Sequence, residues 1–279
     1  MSQTMQRPAR VQPIRKPPKH RLPFPLSLYQ SAVGKKWVMA ITGIMLLGYV
    51  LVHMIGNLHV YEGPRQINEY GEALRDLGGH LVPRTLALWL LRIGLTVAFV
   101  LHIHSAYGLT RMNLAANENY ASKRDYVAAN FASRTMRWTG IIIVLYLFFH
   151  LADLTWGWWL GDDYVRGDVY HNMTESLSSL PVAIIYIVAN TALAIHIYHG
   201  AWSMFQSLGV NNPYINKARR PFAAGFATII LVGNLSFPIA AQAGLIDEDE
   251  RTTPPPSEMH EADGEAQSAG AADQTEVSR

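Results

Sequence analysis

The stretch 37–61, WVMAITGIMLLGYVLVHMIGNLHVY, holds no Asp, Glu, Lys or Arg, and its 25 residues are enough to cross the hydrocarbon of a bilayer as a single helix. Four further stretches read the same way: 85–110 has Arg92 as its one charge, 138–161 has Asp153, and 176–216 and 221–246 have none. At about 20 residues per crossing, these predict five transmembrane helices. Their expected positions are near 37–60, 85–110, 136–159, 181–208 and 221–245. The remainder of the chain differs in character. A basic, Pro-interrupted head (1–27) and an acidic tail (247–279) running through Pro254, Pro255 and Pro256 are too polar to build a core and are expected to be disordered. Between the first two spans, 61–84 has room for a short amphipathic helix, and no internal repeat or second domain is evident in the sequence.

The first four spans each carry a histidine in their apolar interior: His53, His104, His150 and His196. Ionisable side chains inside a membrane are by default functional rather than filler, and one haem iron takes two axial ligands. Four histidines on four helices therefore predict an all-α integral membrane protein whose five-helix bundle (28–246) binds two bis-histidine haems and carries electrons. The chain has no cysteine, which excludes an intrachain disulfide and an iron–sulfur cluster ligated by this chain alone in the usual way. No signal-peptide cleavage pattern follows the first apolar run, so the first helix is expected to be retained.

Charge predicts orientation. The head up to Lys36, the 111–137 connection and the 208–220 connection carry eight, five and three Lys or Arg, against six on the opposite side. Basic residues concentrate on the cytoplasmic side of membrane proteins, so the N-terminus is expected inside and the C-terminus outside. The net charge of +2 conceals this asymmetry and says nothing about nucleic acid, which is not an expected partner; membrane lipid is.

Depth sorts the histidines. At about 1.5 Å per residue, His53 lies about 24 Å from the inner end of its helix, His104 about 10 Å, and His150 and His196 about 18 Å. The same rise puts His199 at about 13 Å. His53 and His150 thus pair nearer the outside, and His104 pairs nearer the inside with either His196 or His199.

The run SAVGKKWVMAITG at 31–43, followed by HMIGNL at 53–58, resembles the opening of the single-chain, five-helix cytochrome b anchor of succinate dehydrogenases and fumarate reductases. HSAYG at 104–108 and HIYHGAW at 196–202 are similar to that family's second- and fourth-span haem motifs, and His150 stands at the matching place in the third span. The resemblance covers roughly 28–245. It implies a multi-pass subunit of a bacterial cytoplasmic membrane that takes electrons from flavoprotein and iron–sulfur partner subunits of complex II and passes them to quinone. It also implies two haem b groups, the proximal one on His104 and His196 and the distal one on His53 and His150. Gly56 and Gly200 would let a flat macrocycle approach the backbone, or would serve ordinary helix packing.

The surplus His102 and His199 are alternates near the inner site, as second-sphere groups or as ligands of a different centre. A Rieske-type cluster, with two histidines and two thiolates, would need its thiolates from another chain. Arg92, about 12 Å inside its helix, is placed to pair with a haem propionate. Asp153 beside Trp156 is a candidate for proton exchange with quinone near the outer surface. Ser31 and Lys35 have a spacing similar to the quinone-carbonyl site of complex II anchors, and equally that of a helix cap followed by a positive anchor. A histidine-lined transporter or metal channel is the alternative of another class, and would be expected to show repeats or broken helices at the midplane.

A reporter fused after Arg279 should read extracytoplasmic and one inserted near Lys123 cytoplasmic; a common compartment for both would sink the five-span reading.

Overall fold

The computed structural model describes residues 22–24, 26–119 and 127–247, with backbone only for 115–119 and 127–134. The head up to residue 21 and the tail from residue 248, expected to be disordered, lie outside the described residues.

Five helices are long and apolar enough to cross a membrane. These are α2 (Ala32–Asn57), α4 (Leu86–Asn119), α5 (Val127–Leu154), α7 (Leu180–Ser207) and α8 (Pro213–Gln242). The shortest, with 26 residues, reaches about 39 Å at the usual rise, more than the hydrocarbon thickness. There is no strand among the described residues, and none of the five is broken at mid-depth.

The termini of these helices follow from capping chemistry. A single turn, α1 (Leu26–Tyr29), precedes α2, and Ser31 caps α2: its hydroxyl accepts from Gly34 N at 2.9 Å and donates to the Leu28 carbonyl at 2.7 Å. Asn212 caps α8 by accepting from Ile215 N at 2.9 Å, with Pro213 at the first helical position. The fifth helix therefore starts eight residues before the expected 221, and Lys217, Arg219 and Arg220 stand on its first turns instead of in a loop. The cap outweighs the charges because lysine and arginine are good helix formers once a helix is nucleated.

α7 is the axle of the bundle, packing on α8, α5 and α2, whereas α4 packs chiefly on α2. Its buried face is small: Ala183, Ala189, Ala192, Ala194 and Ala201 let neighbouring backbones approach. On α8, Ala223, Ala227 and Ala240 do the same, and a Cβ on Gly233 would collide with Met54 Sδ of α2.

The expected short helix after the first span is α3 (Pro64–Ala73). A second one, α6 (Val169–Ser178), which the sequence did not announce, packs on it and on α7 and α8. Together they close one end of the bundle over Val60, Ile67, Tyr170, Met173, Leu177 and Phe237, all buried. Asn68 pins the two. Its oxygen accepts from Val169 N at 2.8 Å and Tyr170 N at 3.2 Å, and its amide donates to Asp168 Oδ1 at 3.1 Å.

The first and third spans share one short local pattern. Thr42-Gly43-Ile44 precedes His53 by eleven residues, counted from the threonine, as Thr139-Gly140-Ile141 precedes His150. Each threonine meets the histidine of the following span: Thr42 meets His102 and Thr139 meets His196, both at 3.2 Å. The same kind of threonine–histidine contact is thus made twice, between the first and second spans and between the third and fourth.

Replacing Asn68 with Ala would leave the buried α6 amides without an acceptor. A loss of about 1–3 kcal/mol is expected, read as a lower melting temperature in detergent with faster hydrogen exchange confined to 169–178. Unchanged exchange there would refute the pin.

Candidate functional site: two facing histidine pairs

A threonine within a helix can return its hydroxyl proton to the carbonyl four residues back, after which its oxygen can only accept. Thr42 donates to Val38 O and Thr139 to Thr135 O, both at 2.7 Å. Each then faces a histidine Nδ1 at 3.2 Å: His102 for Thr42, His196 for Thr139. His102 Nδ1 also lies 3.2 Å from the Met39 carbonyl, and His196 bonds the Met136 backbone. Acceptors on every side assign the proton to Nδ1, which leaves the Nε2 lone pair free in both rings. The two rings face one another across the space between α4 and α7, with centroids 6.4 Å apart. Gly43 and Gly140 flank the two imidazoles, leaving them room.

The second pair is His53 on α2 with His150 on α5, whose ring centroids are 5.9 Å apart and near-perpendicular at 78°. His53 stacks on Tyr49 at 5.4 Å. His150 Nδ1 lies 3.2 Å from the Tyr186 hydroxyl, which itself donates to Asp153 Oδ2 at 2.8 Å. Ser176 donates to the same carboxylate oxygen at 2.7 Å. Because the Tyr186 proton is committed to Asp153, its oxygen accepts from His150 Nδ1–H, and again Nε2 is free.

Two imidazoles bound to one metal at about 2.0 Å would place their centroids roughly 6 Å apart, a separation with which both pairs are compatible. No group of three or more His, Asp or Glu of metal-binding geometry occurs among the described residues. Each pair therefore offers two protein ligands, the number a haem iron takes.

Several expected residues stand elsewhere. His104 is not brought to His196. It is exposed on the far side of α4, its Nδ1 accepting from the Tyr29 hydroxyl at 2.5 Å with the rings stacked 5.7 Å apart. Two residues along a helix turn the side chain by about 200°, so His102 and His104 cannot share a face, and the packing of α4 on α2 turns His102 inward. His199, half-buried, packs its ring on Tyr198 and interacts electrostatically with His196; its buried Nδ1 has no hydrogen-bond partner. Gly56 is filled by the Tyr70 ring, which leaves no approach for a macrocycle there, whereas Gly200 faces open space.

Arg92 is exposed, its guanidinium 5.3 Å above Trp89, and it interacts electrostatically with Tyr49, the residue stacked on His53. Ser31 has both hydrogen-bonding directions occupied as a cap. Lys35 is buried, with its Nζ 4.0 Å from the Tyr29 ring centroid. Asp153 is fully buried and turned into the bundle, away from the exposed Trp156, which packs on Trp158. Thr42, Thr139, Tyr186, Ser176 and Tyr29 were missed from the sequence. The repeated Thr-Gly-Ile before a histidine at fixed spacing was the signal available for the threonines.

Residues 122–235 match the family model of the succinate dehydrogenase/fumarate reductase transmembrane subunit. The match takes in His150, Asp153, Tyr186, His196 and Thr139, and leaves His53 and His102 outside. No curated protein and no solved structure matches the chain.

If the His102–His196 pair holds a metal centre, Thr139→Val should weaken its retention by about ten- to a hundred-fold, the usual effect of losing an outer-sphere partner, while Thr139→Ser should retain it. Equal content of the centre per purified chain in the Val variant, read by absorbance and iron assay, would count against the threonine's orienting role.

Proposed function

We propose that this chain, a complex II-type membrane subunit of the succinate dehydrogenase/fumarate reductase family, is the electron-transferring anchor of its complex, linking an iron–sulfur subunit to quinone in the bilayer. The observation that carries this reading is the pair of two-histidine sites on alternate spans, each at a separation compatible with one axially ligated ion. Haem b, when bound, supplies a one-electron carrier at each site. His102 and His196 would hold the inner group and His53 and His150 the outer one, each with its Nε2 free to act as ligand. The assignment of His102 in place of His104 rests on the facing of His102 to His196 and on the engagement of His104 with Tyr29.

The chain's own residues orient and insulate these sites. Thr42, Thr139 and Tyr186 fix the tautomers, and the apolar spans exclude water. Succinate chemistry belongs to the flavoprotein partner. Sixteen basic residues against six favour a cytoplasmic N-terminus, which puts Lys217, Arg219 and Arg220 on the face that would receive the iron–sulfur partner. On that same side, the buried Lys35, the Tyr29–His104 pair and Ser105, 3.1 Å from the Tyr29 hydroxyl, offer a cation and proton-carrying groups suited to a quinone headgroup. Ser31, occupied as a cap, supports this site through the position of Lys35.

A reduced-minus-oxidised spectrum with a haem assay on the purified complex tests the reading. Two haems per chain are expected, with one lost in His102→Ala and both kept in His104→Ala. The reverse pattern would return the ligand role to His104, and a haem-free wild type would refute the di-haem reading.

A further inference from the structure

The inner and outer pairs differ in what stands behind their imidazoles. Behind His102 and His196 are hydroxyls and carbonyls, with His199 interacting electrostatically with His196, and no carboxyl group is hydrogen-bonded to them among the described residues. Behind His150 stands Tyr186, and behind Tyr186 the carboxyl group of Asp153. Asp153 is fully buried and accepts at one oxygen, Oδ2, from both Ser176 and Tyr186, while its Oδ1 has no hydrogen-bond partner. An incompletely satisfied buried carboxyl is costly, and tying α6 to α7 needs nothing more than a neutral amide.

We propose that Tyr186 and Asp153 are positioning residues for the outer centre: they hold His150 in its Nδ1-protonated form and, through the carboxyl group, make its Nε2 a stronger donor that favours the oxidised state of the bound metal. A hydroxyl that gives its proton towards a carboxylate is polarised and accepts more strongly. The His150 Nδ1–H then shifts charge onto the ring, and a more basic imidazole stabilises the higher oxidation state. This inference rests on the reading that His150 ligates a haem.

The test uses the purified holo-complex, with haem content, potentiometric titration and electron paramagnetic resonance. The outer haem is identified as the one lost in His53→Ala. Tyr186→Phe removes the hydroxyl but keeps the ring, which packs against Tyr146 at 5.2 Å and Phe149 at 6.1 Å. Tyr186→Phe and Asp153→Asn should each retain both haems and move the outer midpoint to a more positive potential, with a changed outer resonance signal and an unmoved inner one. The double variant should shift no further than Tyr186→Phe, because the carboxyl group acts through the tyrosine.

An outer midpoint unmoved in Tyr186→Phe with the haem retained overturns the proposal, as does selective loss of the outer haem, which would make the pair structural. If Asp153→Asn fails to assemble, Tyr186→Phe decides alone. Absence of haem from the wild type would overturn the function reading and this inference together, whereas haem with an unmoved potential overturns this inference only.

Discussion

Hydrocarbon offers no partner to an N–H group, so an imidazole turned into the bundle is stabilised where a neighbouring helix offers it an acceptor. Thr42 and Thr139 are such acceptors. Each has already returned its hydroxyl proton to its own helix, at Val38 and Thr135, and each presents only a lone pair to the histidine of the next span. The geometry of the inner pair follows: the Nδ1 atoms point at the threonines and the Nε2 atoms remain available. The packing of α4 on α2 makes the first of these contacts possible, and that of α7 on α5 the second.

The rest of the fold supports those contacts. α7 approaches its neighbours closely because its inner face is largely alanine, and the same helix carries Tyr186, Asn190 and His196 on its path through the membrane. Asn190 donates to the Tyr186 carbonyl at 2.9 Å and accepts from Asn234 of α8 at 2.9 Å, so polar groups in the bundle interior are satisfied between helices. α3 and α6, joined by Asn68, cap the end of the bundle where Ser176 reaches Asp153. The His53–His150 pair is therefore backed by a buried carboxyl group, and the His102–His196 pair by hydroxyls and carbonyls.

Much of this was legible in the sequence. Runs of membrane length with at most one charge define the spans, and the resemblance to complex II anchors agrees with the family match over 122–235, which takes in the 196–202 motif and leaves 31–43 and 104–108 outside. Three readings did not survive intact, each for a local reason. The fifth helix begins at Pro213 because Asn212 caps it, although the charges at Lys217, Arg219 and Arg220 suggested a loop. Asp153 does not look outward with Trp156, because hydroxyls on α6 and α7 draw it inward. His104 matches a motif by spacing, yet the structure pairs His102 with His196.

Hydropathy and composition by themselves determined that this is a five-span, all-helical membrane protein with histidines inside its spans, because crossing a bilayer leaves a signature about 20 residues long in every span. Tertiary structure alone decided which histidines meet. Residues two apart on a helix look in nearly opposite directions, and the inward direction is set by the neighbour packed against that helix, not by the helix itself. The contacts that orient the imidazoles join residues 57 and 60 positions apart in the chain, from Thr139 to His196 and from Thr42 to His102. Threonine's liking for its own helix carbonyl is local, but what its free lone pair then faces depends on which helix lies alongside.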